Sequence, residues 1–232
     1  MDVEFSAVVP CYNEEGNVAA IAAGFAEKAP AGCELVLVNN GSSDGTAAAV
    51  AAAQKQYPFV RAVHVSVNQG YGHGINQGLA AAQGEWLGWT HGDMQCDPAD
   101  LFRALELAKK SGANAFVKGL RSGRGMTDRF FTAGMSVFES LYFWTRLWDI
   151  NAQPAVFHRS FYARWQEPPG DFTLDLYACA LARKLDMKIL RMPVKLSPRH
   201  DGVSSWNRGL ASRLALSAGV IKASMRIKKV LP

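Results

Sequence analysis

The sequence lacks the features that carry a chain into or across a membrane. No uninterrupted apolar run reaches the roughly 18 residues that a spanning helix needs. Met1-Asp2-Val3-Glu4 is not the basic start of a secretory leader, so a cytoplasmic protein is the expectation. Cys11, Cys33, Cys96 and Cys179 are scattered, with no C-x-x-C pair, and read as unpaired thiols in a reducing compartment. Internal repeats and low-complexity linkers are absent too. Acid is scarce toward the end of the chain. From Arg183 onward Arg183, Lys184, Lys188, Arg191, Lys195, Arg199, Arg208, Arg213, Lys222, Arg226, Lys228 and Lys229 stand against only Asp186 and Asp201. Such an excess calls for an anionic partner, either phosphate or acidic lipid. Nucleic acid is not expected, because aromatic and basic residues do not interleave in a recognisable motif.

What is present is enough apolar sequence, 49% of 232 residues, for one domain with a substantial core. Apolar runs at 5–9, 33–38, 60–67 and 86–90 read as strands. Ala-rich or periodic segments at 17–29, from Thr46 to about Tyr57 and at 75–82 read as helices between them. Strict β/α alternation implies right-handed crossovers and a mostly parallel sheet flanked by helices. Polar loops follow every strand, so they gather at one sheet edge, where ligands of open α/β sheets bind.

The chain is organised around Trp86-Leu87-Gly88-Trp89-Thr90-His91-Gly92-Asp93-Met94-Gln95-Cys96-Asp97-Pro98. A buried strand ends at Thr90, and Asp97 as N-cap with Pro98 at the first helical position starts the next helix. In the loop between them, an imidazole, a carboxylate and an amide oxygen are spaced two residues apart. His91, Asp93 and Gln95 could share one divalent cation, with Gly92 leaving room for a ligand beside the backbone.

His91-x-Asp93-x-Gln95 resembles the D-x-D-x-Q element of family 2 glycosyltransferases, in particular the branch of dolichyl-phosphate mannose synthase and other polyprenyl-phosphate sugar transferases, with His in place of the first Asp. Pro10-x-Tyr12-Asn13-Glu14 resembles the family's P-x-Y-N-E start. Val38-Asn39-Asn40-Gly41-Ser42-Ser43-Asp44-Gly45-Thr46 is similar to V-D-D-G-S-x-D-G-T, with both early Asp residues changed to Asn. The resemblance implies an α/β GT-A-like fold with a Rossmann-like nucleotide-binding half (1–98) and an acceptor half (99–206), followed by a basic amphipathic helix (207–232). It implies a nucleotide-sugar donor held by Pro10, Tyr12, Glu14, Val38, Asn40, Gly92, Asp93, Arg129 and Arg199, and Mg²⁺ or Mn²⁺ held by His91, Asp93 and Gln95. A histidine in that set favours Mn²⁺.

Asn40 can accept through its oxygen and donate through its nitrogen, so the base stays open, cytosine included. Asp44 reads as an N-cap. Asn68-x-Gly70-x-Gly72-x-Gly74-x-Asn76-x-Gly78 is a looser match, whose glycines would let backbone N–H groups approach phosphate. Arg121, in a basic loop at 121–125, matches the family's phosphate-contacting Arg, and Arg199-x-x-Gly202-x-Ser204 its late R-x-x-G-x-S motif. Ser205 stands where the family has Lys.

In the second half, 115–119 reads as a strand, 129–148 as a helix almost encircled by aromatics, 171–184 as a helix, 188–194 as a strand and 207–229 as a basic amphipathic helix. That last helix could lie on a membrane surface or pack back on the domain. An inverting transfer would take place on an acceptor that is a lipid phosphate or a glycan. A lipid phosphate needs no strong base, whereas a hydroxyl needs Asp171 or Asp175, the latter equally a plain helix residue. The departures from the motifs at 39, 40, 91 and 205 leave a catalytically silent nucleotide- or partner-binding relative as the alternative. A nucleotidyltransferase fits less well, since a basic Gly-rich loop after the first strand is lacking.

Overall fold

The computed structural model describes residues 3–122, 126–195 and 210–231, with side chains at 126–131 and 210–216 left out of the description. Its elements in order are β1 (Phe5–Cys11), α1 (Glu15–Lys28), β2 (Cys33–Asn40), α2 (Thr46–Gln56), β3 (Val60–Val65), α3 (Tyr71–Ala81), β4 (Trp86–Trp89), α4 (Pro98–Ser111), β5 (Ala115–Ser122), α5 (Met126–Phe143), β6 (Ala155–His158), α6 (Arg159–Tyr162), α7 (Leu174–Lys184), β7 (Lys188–Lys195) and α8 (Leu210–Val230). One seven-stranded sheet runs in the order β3-β2-β1-β4-β6-β5-β7. β1 to β4 pair in parallel, as do β5 and β7, while β6 is antiparallel to both β4 and β5. The sheet is thus mostly parallel and flanked by helices.

Alternation along the strands sorts the core into two layers. Phe5, Ala7, Val9 and Cys11 of β1 with Leu35 and Leu37 of β2 pack under α1, α2 and α4. Val8, Val36 and Val38 point the other way, onto Ile75 and Leu79 of α3 and into the cluster that α7 and α8 complete. Each such side chain, fully withdrawn from water, contributes roughly 1.5–3 kcal/mol.

Several local expectations are changed or decided. β6 has no counterpart in the sequence reading, being four residues long and stabilised by strands on both sides rather than by its own pattern. α3 begins at Tyr71, so Gly72 and Gly74 sit in its first turn. The basic loop expected at 121–125 gives up its first two residues to β5, where Arg121 pairs with Val194 of β7. The aromatic helix ends at Phe143 because Trp144 turns left-handed (φ 52°). α8 spends its apolar face on the domain, with Val220, Ala223 and Ile227 all buried.

Candidate functional site

Because β2, β1 and β4 are neighbours, the loops that follow them lie side by side, and hydrogen bonds lace the first two together. The Asn13 amide donates to Ser42 Oγ (3.0 Å), the Ser43 amide to Asn13 Oδ1 (2.9 Å) and the Glu14 amide to Thr46 Oγ1 (2.9 Å). Asn13 makes the turn in the left-handed region (φ 55°), which an Asn tolerates better than most side chains. The N-cap of α2 is Gly45 rather than the expected Asp44, which lies one residue earlier and accepts from the Thr46 amide (3.0 Å). Tyr12 is exposed and Glu14 half-buried at this edge, the Glu14 carboxylate accepting from Asn17 Nδ2 (2.6 Å). Pro10 precedes them at the end of β1. Val38 lies in the floor rather than in the site: its side chain is fully buried against the position of Gly78.

The two asparagines of the second loop do different work. Asn39 Oδ1 accepts from the Ser42 amide (3.1 Å), an ordinary turn contact. Asn40 is 3% exposed and donates its amide nitrogen to the Gly70 carbonyl (3.0 Å), while its Oδ1 has no partner. A buried carbonyl oxygen without a donor costs on the order of 1–3 kcal/mol. It is therefore a place where a ligand N–H would be welcome.

The glycines of 70–74 serve the fold, contrary to the phosphate-cradle reading. A Cβ at Gly72 would come within 2.4 Å of the Asp171 carbonyl and 2.5 Å of the Pro169 carbonyl. The segment 169–171 from the acceptor half lies against the start of α3, and the His73 amide donates to the Gly170 carbonyl (2.7 Å). Gly92 likewise faces protein, a Cβ there lying 3.0 Å from the Pro10 carbonyl, so it closes the β4 loop onto β1 instead of leaving ligand space.

His91, Asp93 and Gln95 follow β4 together. Asp93 is buried, and its Oδ1 accepts from the Gln95 amide (3.2 Å). His91 lies against the Tyr71 ring, centroids 5.4 Å apart. Burial pushes its imidazole below the ordinary range, against the pull of Asp93 and Asp175 and with the help of Lys118 and Arg121. Among the described residues no three His, Cys, Asp or Glu side chains cluster as a metal site. The donor set is one carboxylate, an imidazole and an amide oxygen. That set fits a divalent cation whose remaining positions are filled by ligand oxygens.

The acceptor half holds two ion pairs that the sequence reading missed. Lys118, wholly buried in β5, places Nζ 2.5 Å from Asp175 Oδ1 and 5.5 Å from the Trp89 ring. Gln153 Nε2 donates to both Asp175 oxygens (3.1 and 3.3 Å) and to Tyr71 Oη (3.0 Å). This occupies Asp175, which is 2% exposed but close enough to Tyr71 and His91 to act on both electrostatically. Asp171 stays half-exposed, its Oδ1 accepting from the Thr173 amide (2.9 Å) and its Oδ2 from Arg226 (3.3 Å).

Arg121 grips the buried Asp149: its Nε donates to Oδ1 (2.8 Å), its Nη2 to the same oxygen, and its amide to Oδ2 (2.9 Å). Burial alone would raise the Asp149 carboxyl, but the Arg121 contacts outweigh it and hold the group below its usual range. Arg191 adds a second guanidinium, bonded to the Asp149 carbonyl (2.8 Å). A lone Lys in the apolar run Ala115-Phe116-Val117-Lys118 was the visible sign of the first pair; nothing near Asp149 advertised the second. The Arg129 side chain and Arg199 lie outside the described residues.

Comparison with known proteins decides the family. The model of glycosyl transferase family 2 matches residues 6–179. The chain belongs to that family. It is 30% identical over 139 residues to the uncharacterized glycosyltransferase sll0501 of Synechocystis sp., covering 58% of this chain and 43% of that protein. It is also 27% identical over 130 residues to the dolichol-phosphate mannosyltransferase of Saccharomyces cerevisiae, covering 54% of this chain and 48% of the other. The poly-beta-1,6-N-acetyl-D-glucosamine synthase of Staphylococcus epidermidis is 29% identical over 119 residues, 49% of this chain and 27% of the synthase. The chain thus spans less than half the length of these relatives. Among solved structures, glucosyl-3-phosphoglycerate synthase from Mycobacterium tuberculosis, in complex with Mn²⁺, uridine diphosphate and phosphoglyceric acid, superposes with a TM-score of 0.75 at 19% identity, covering 99% of this chain and 79% of that one. This family 2 member therefore has the GT-A fold.

Proposed function

We propose that this family 2 member moves a sugar, with inversion, from a uridine diphosphate sugar to a phosphate-bearing acceptor, a polyprenyl phosphate first among them. The observation that carries the donor reading is Asn40. Its nitrogen is committed to Gly70, so the buried oxygen left over is an acceptor, matched to the ring N–H of uracil and mismatched to cytosine N3, itself an acceptor. The mycobacterial synthase crystallised with uridine diphosphate supports the same base. Tyr12 and Glu14 at the β1 edge would meet base and ribose, and Pro10 would set their turn.

His91, Asp93 and Gln95 would hold the divalent cation, which when bound neutralises charge on the leaving diphosphate. Arg121 and Arg191 share one Asp149 carboxylate, which leaves net positive charge for the acceptor's anion; Arg129 and Arg199 would add to it. An acceptor phosphate oxygen attacks the anomeric carbon from the face opposite the diphosphate, forming the new C–O bond as the old one breaks. That oxygen is already anionic and needs no base. A hydroxyl acceptor would instead pass its proton to Asp171, since Asp175 is sealed in its ion pair.

The test is incubation with uridine diphosphate sugars, Mn²⁺ and either a polyprenyl phosphate or a small phosphate-bearing hydroxy acid, with products followed by NMR. Sugar on polyprenyl phosphate with inverted anomeric configuration is expected, with rates unchanged in Asp171→Asn. Transfer to the hydroxy acid alone, lost in Asp171→Asn, would replace the lipid acceptor. Absence of both transfer and donor hydrolysis would favour a silent binding protein.

A further inference from the structure

α5 and the loop that follows it carry an apolar stripe that the described structure leaves in the open. Val137 and Leu141 on the helix and Trp144 and Trp148 in the turn and loop beyond it are 55%, 69%, 89% and 48% exposed. Two exposed tryptophans on a water-soluble face are costly, and here the exposure is built. The Trp144 amide donates to the Leu141 carbonyl (3.3 Å) and the Thr145 amide to the Ser140 carbonyl (3.1 Å). Ser140 Oγ then clasps Leu147 through both its carbonyl (2.8 Å) and its amide (2.9 Å), and Leu147 is buried. The backbone is pinned on both sides of the tryptophans, so they are held outward by structure.

The charge near the stripe is predominantly positive, although Arg226 of α8 is paired with Asp171 (3.3 Å). Between Phe130 and Trp148 the only carboxylic side chain is Glu139, which is buried. Arg146 is exposed between the tryptophans, and Lys228 of α8 reaches across to the Tyr142 carbonyl (3.1 Å) with its ammonium 4.7 Å from that ring. α8 contains Lys222, Arg226, Lys228 and Lys229 and no acidic residue. Tryptophan beside cations on a rigid face suits the boundary between headgroups and acyl chains. A second copy suits it poorly, because a two-fold interface would set Arg146 against like charge with no carboxylate on the face to pair.

We propose that this stripe docks the chain on an anionic bilayer, with Leu141, Trp144 and Trp148 entering the headgroup boundary and Arg146 and Lys228 meeting acidic lipid. The stripe ends beside Asp149, the residue that holds Arg121, so docking would bring the acceptor edge of the site to the lipid surface. This goes beyond the transfer reaction and stands or falls separately from it.

The test is flotation of the full chain with vesicles of phosphatidylcholine alone and of phosphatidylcholine with phosphatidylglycerol. Binding to the anionic vesicles only, with a blue shift of tryptophan emission, is expected. The double variant Trp144→Ser/Trp148→Ser should weaken it by about tenfold or more, the scale on which aromatic anchors govern contacts. Arg146→Glu supplies an independent arm that leaves the apolar residues in place and should weaken binding in the same direction. Uridine diphosphate binding is measured on each variant; its retention shows a folded donor half, so failure to float is read on docking alone. No binding to anionic vesicles, binding unchanged in both variants, or a tryptophan-dependent dimer in sedimentation would overturn the proposal.

Discussion

The two ends of the sheet are built on different principles. From β3 to β4 the strands are parallel, each leads into a polar loop, and the contacts that shape the edge are short hydrogen bonds between adjacent loops, such as Asn13 with Ser42 and Ser43. From β6 to β7 the strands are mixed, and the edge is held by ion pairs between side chains, Lys118 with Asp175 and Arg121 with Asp149. A half whose polar loops each follow a strand announces itself in the sequence. A half held by ion pairs between side chains does not.

The sharpest way to break this contrast is at Lys118. Lys118→Met strands a buried carboxylate and should lower unfolding free energy by about 3–5 kcal/mol, whereas Lys118→Met/Asp175→Leu should recover most of the loss. Urea denaturation of the three proteins decides it, and a loss in the double variant equal to that in the single one would deny the pair its role.

At the seam between the halves, Gly72→Ala pushes a methyl into backbone carbonyls of 169–171. A cost of about 1–3 kcal/mol is expected, read as a drop in urea midpoint; an unchanged midpoint would show that the seam yields freely.

Glu139 sharpens the comparison by being a buried carboxyl of the acceptor half without a paired cation. Burial lifts its pKa to about 8 from 4.5. A group with a raised folded pKa stabilises fully below pH 4.5, and that contribution falls away as pH rises through about 8, at up to roughly 1.4 kcal/mol per pH unit. Glu139→Gln should flatten the stability profile across this window. An unaltered slope in the variant would contradict the assignment.

The smallest effect belongs to the donor half's surface. Lys28 pairs with Asp97 (2.8 Å) where both are substantially exposed, and Lys28→Ala should cost under about 1 kcal/mol. Asp97→Ala also removes the cap that accepts from the Ala99 amide (2.9 Å) and should cost about 1 kcal/mol more. Thermal melts of both suffice.

These contrasts explain what the sequence made legible. Strand alternation and capping at Asp97 depend on neighbours a few residues away, so the β/α order through α4 could be read directly. The glycines at 70–74 misled because a glycine chosen to admit the 169–171 backbone looks the same in sequence as one chosen to admit phosphate. β6 escaped because four residues carry too little pattern, and its strand state comes from β4 and β5. Asp175 could be read either as a base or as a plain helix residue, because its partner Lys118 lies 57 positions away. The α8 pattern allowed either membrane or domain; Ile227, fully buried, shows that the domain takes that face.

The central claim is that the unpartnered oxygen of Asn40 selects a uracil base at the β1–β4 edge. A thermal-shift panel of uridine, cytidine and guanosine diphosphates, each with and without Mn²⁺, on the wild type, Asn40→Leu and Asp93→Ala tests it most directly, since a ligand of the native state raises its melting temperature. The account predicts the largest shift for uridine diphosphate with Mn²⁺, diminished in Asn40→Leu and stripped of its Mn²⁺ dependence in Asp93→Ala. A larger shift with cytidine diphosphate, or no shift with any of the three, would contradict it.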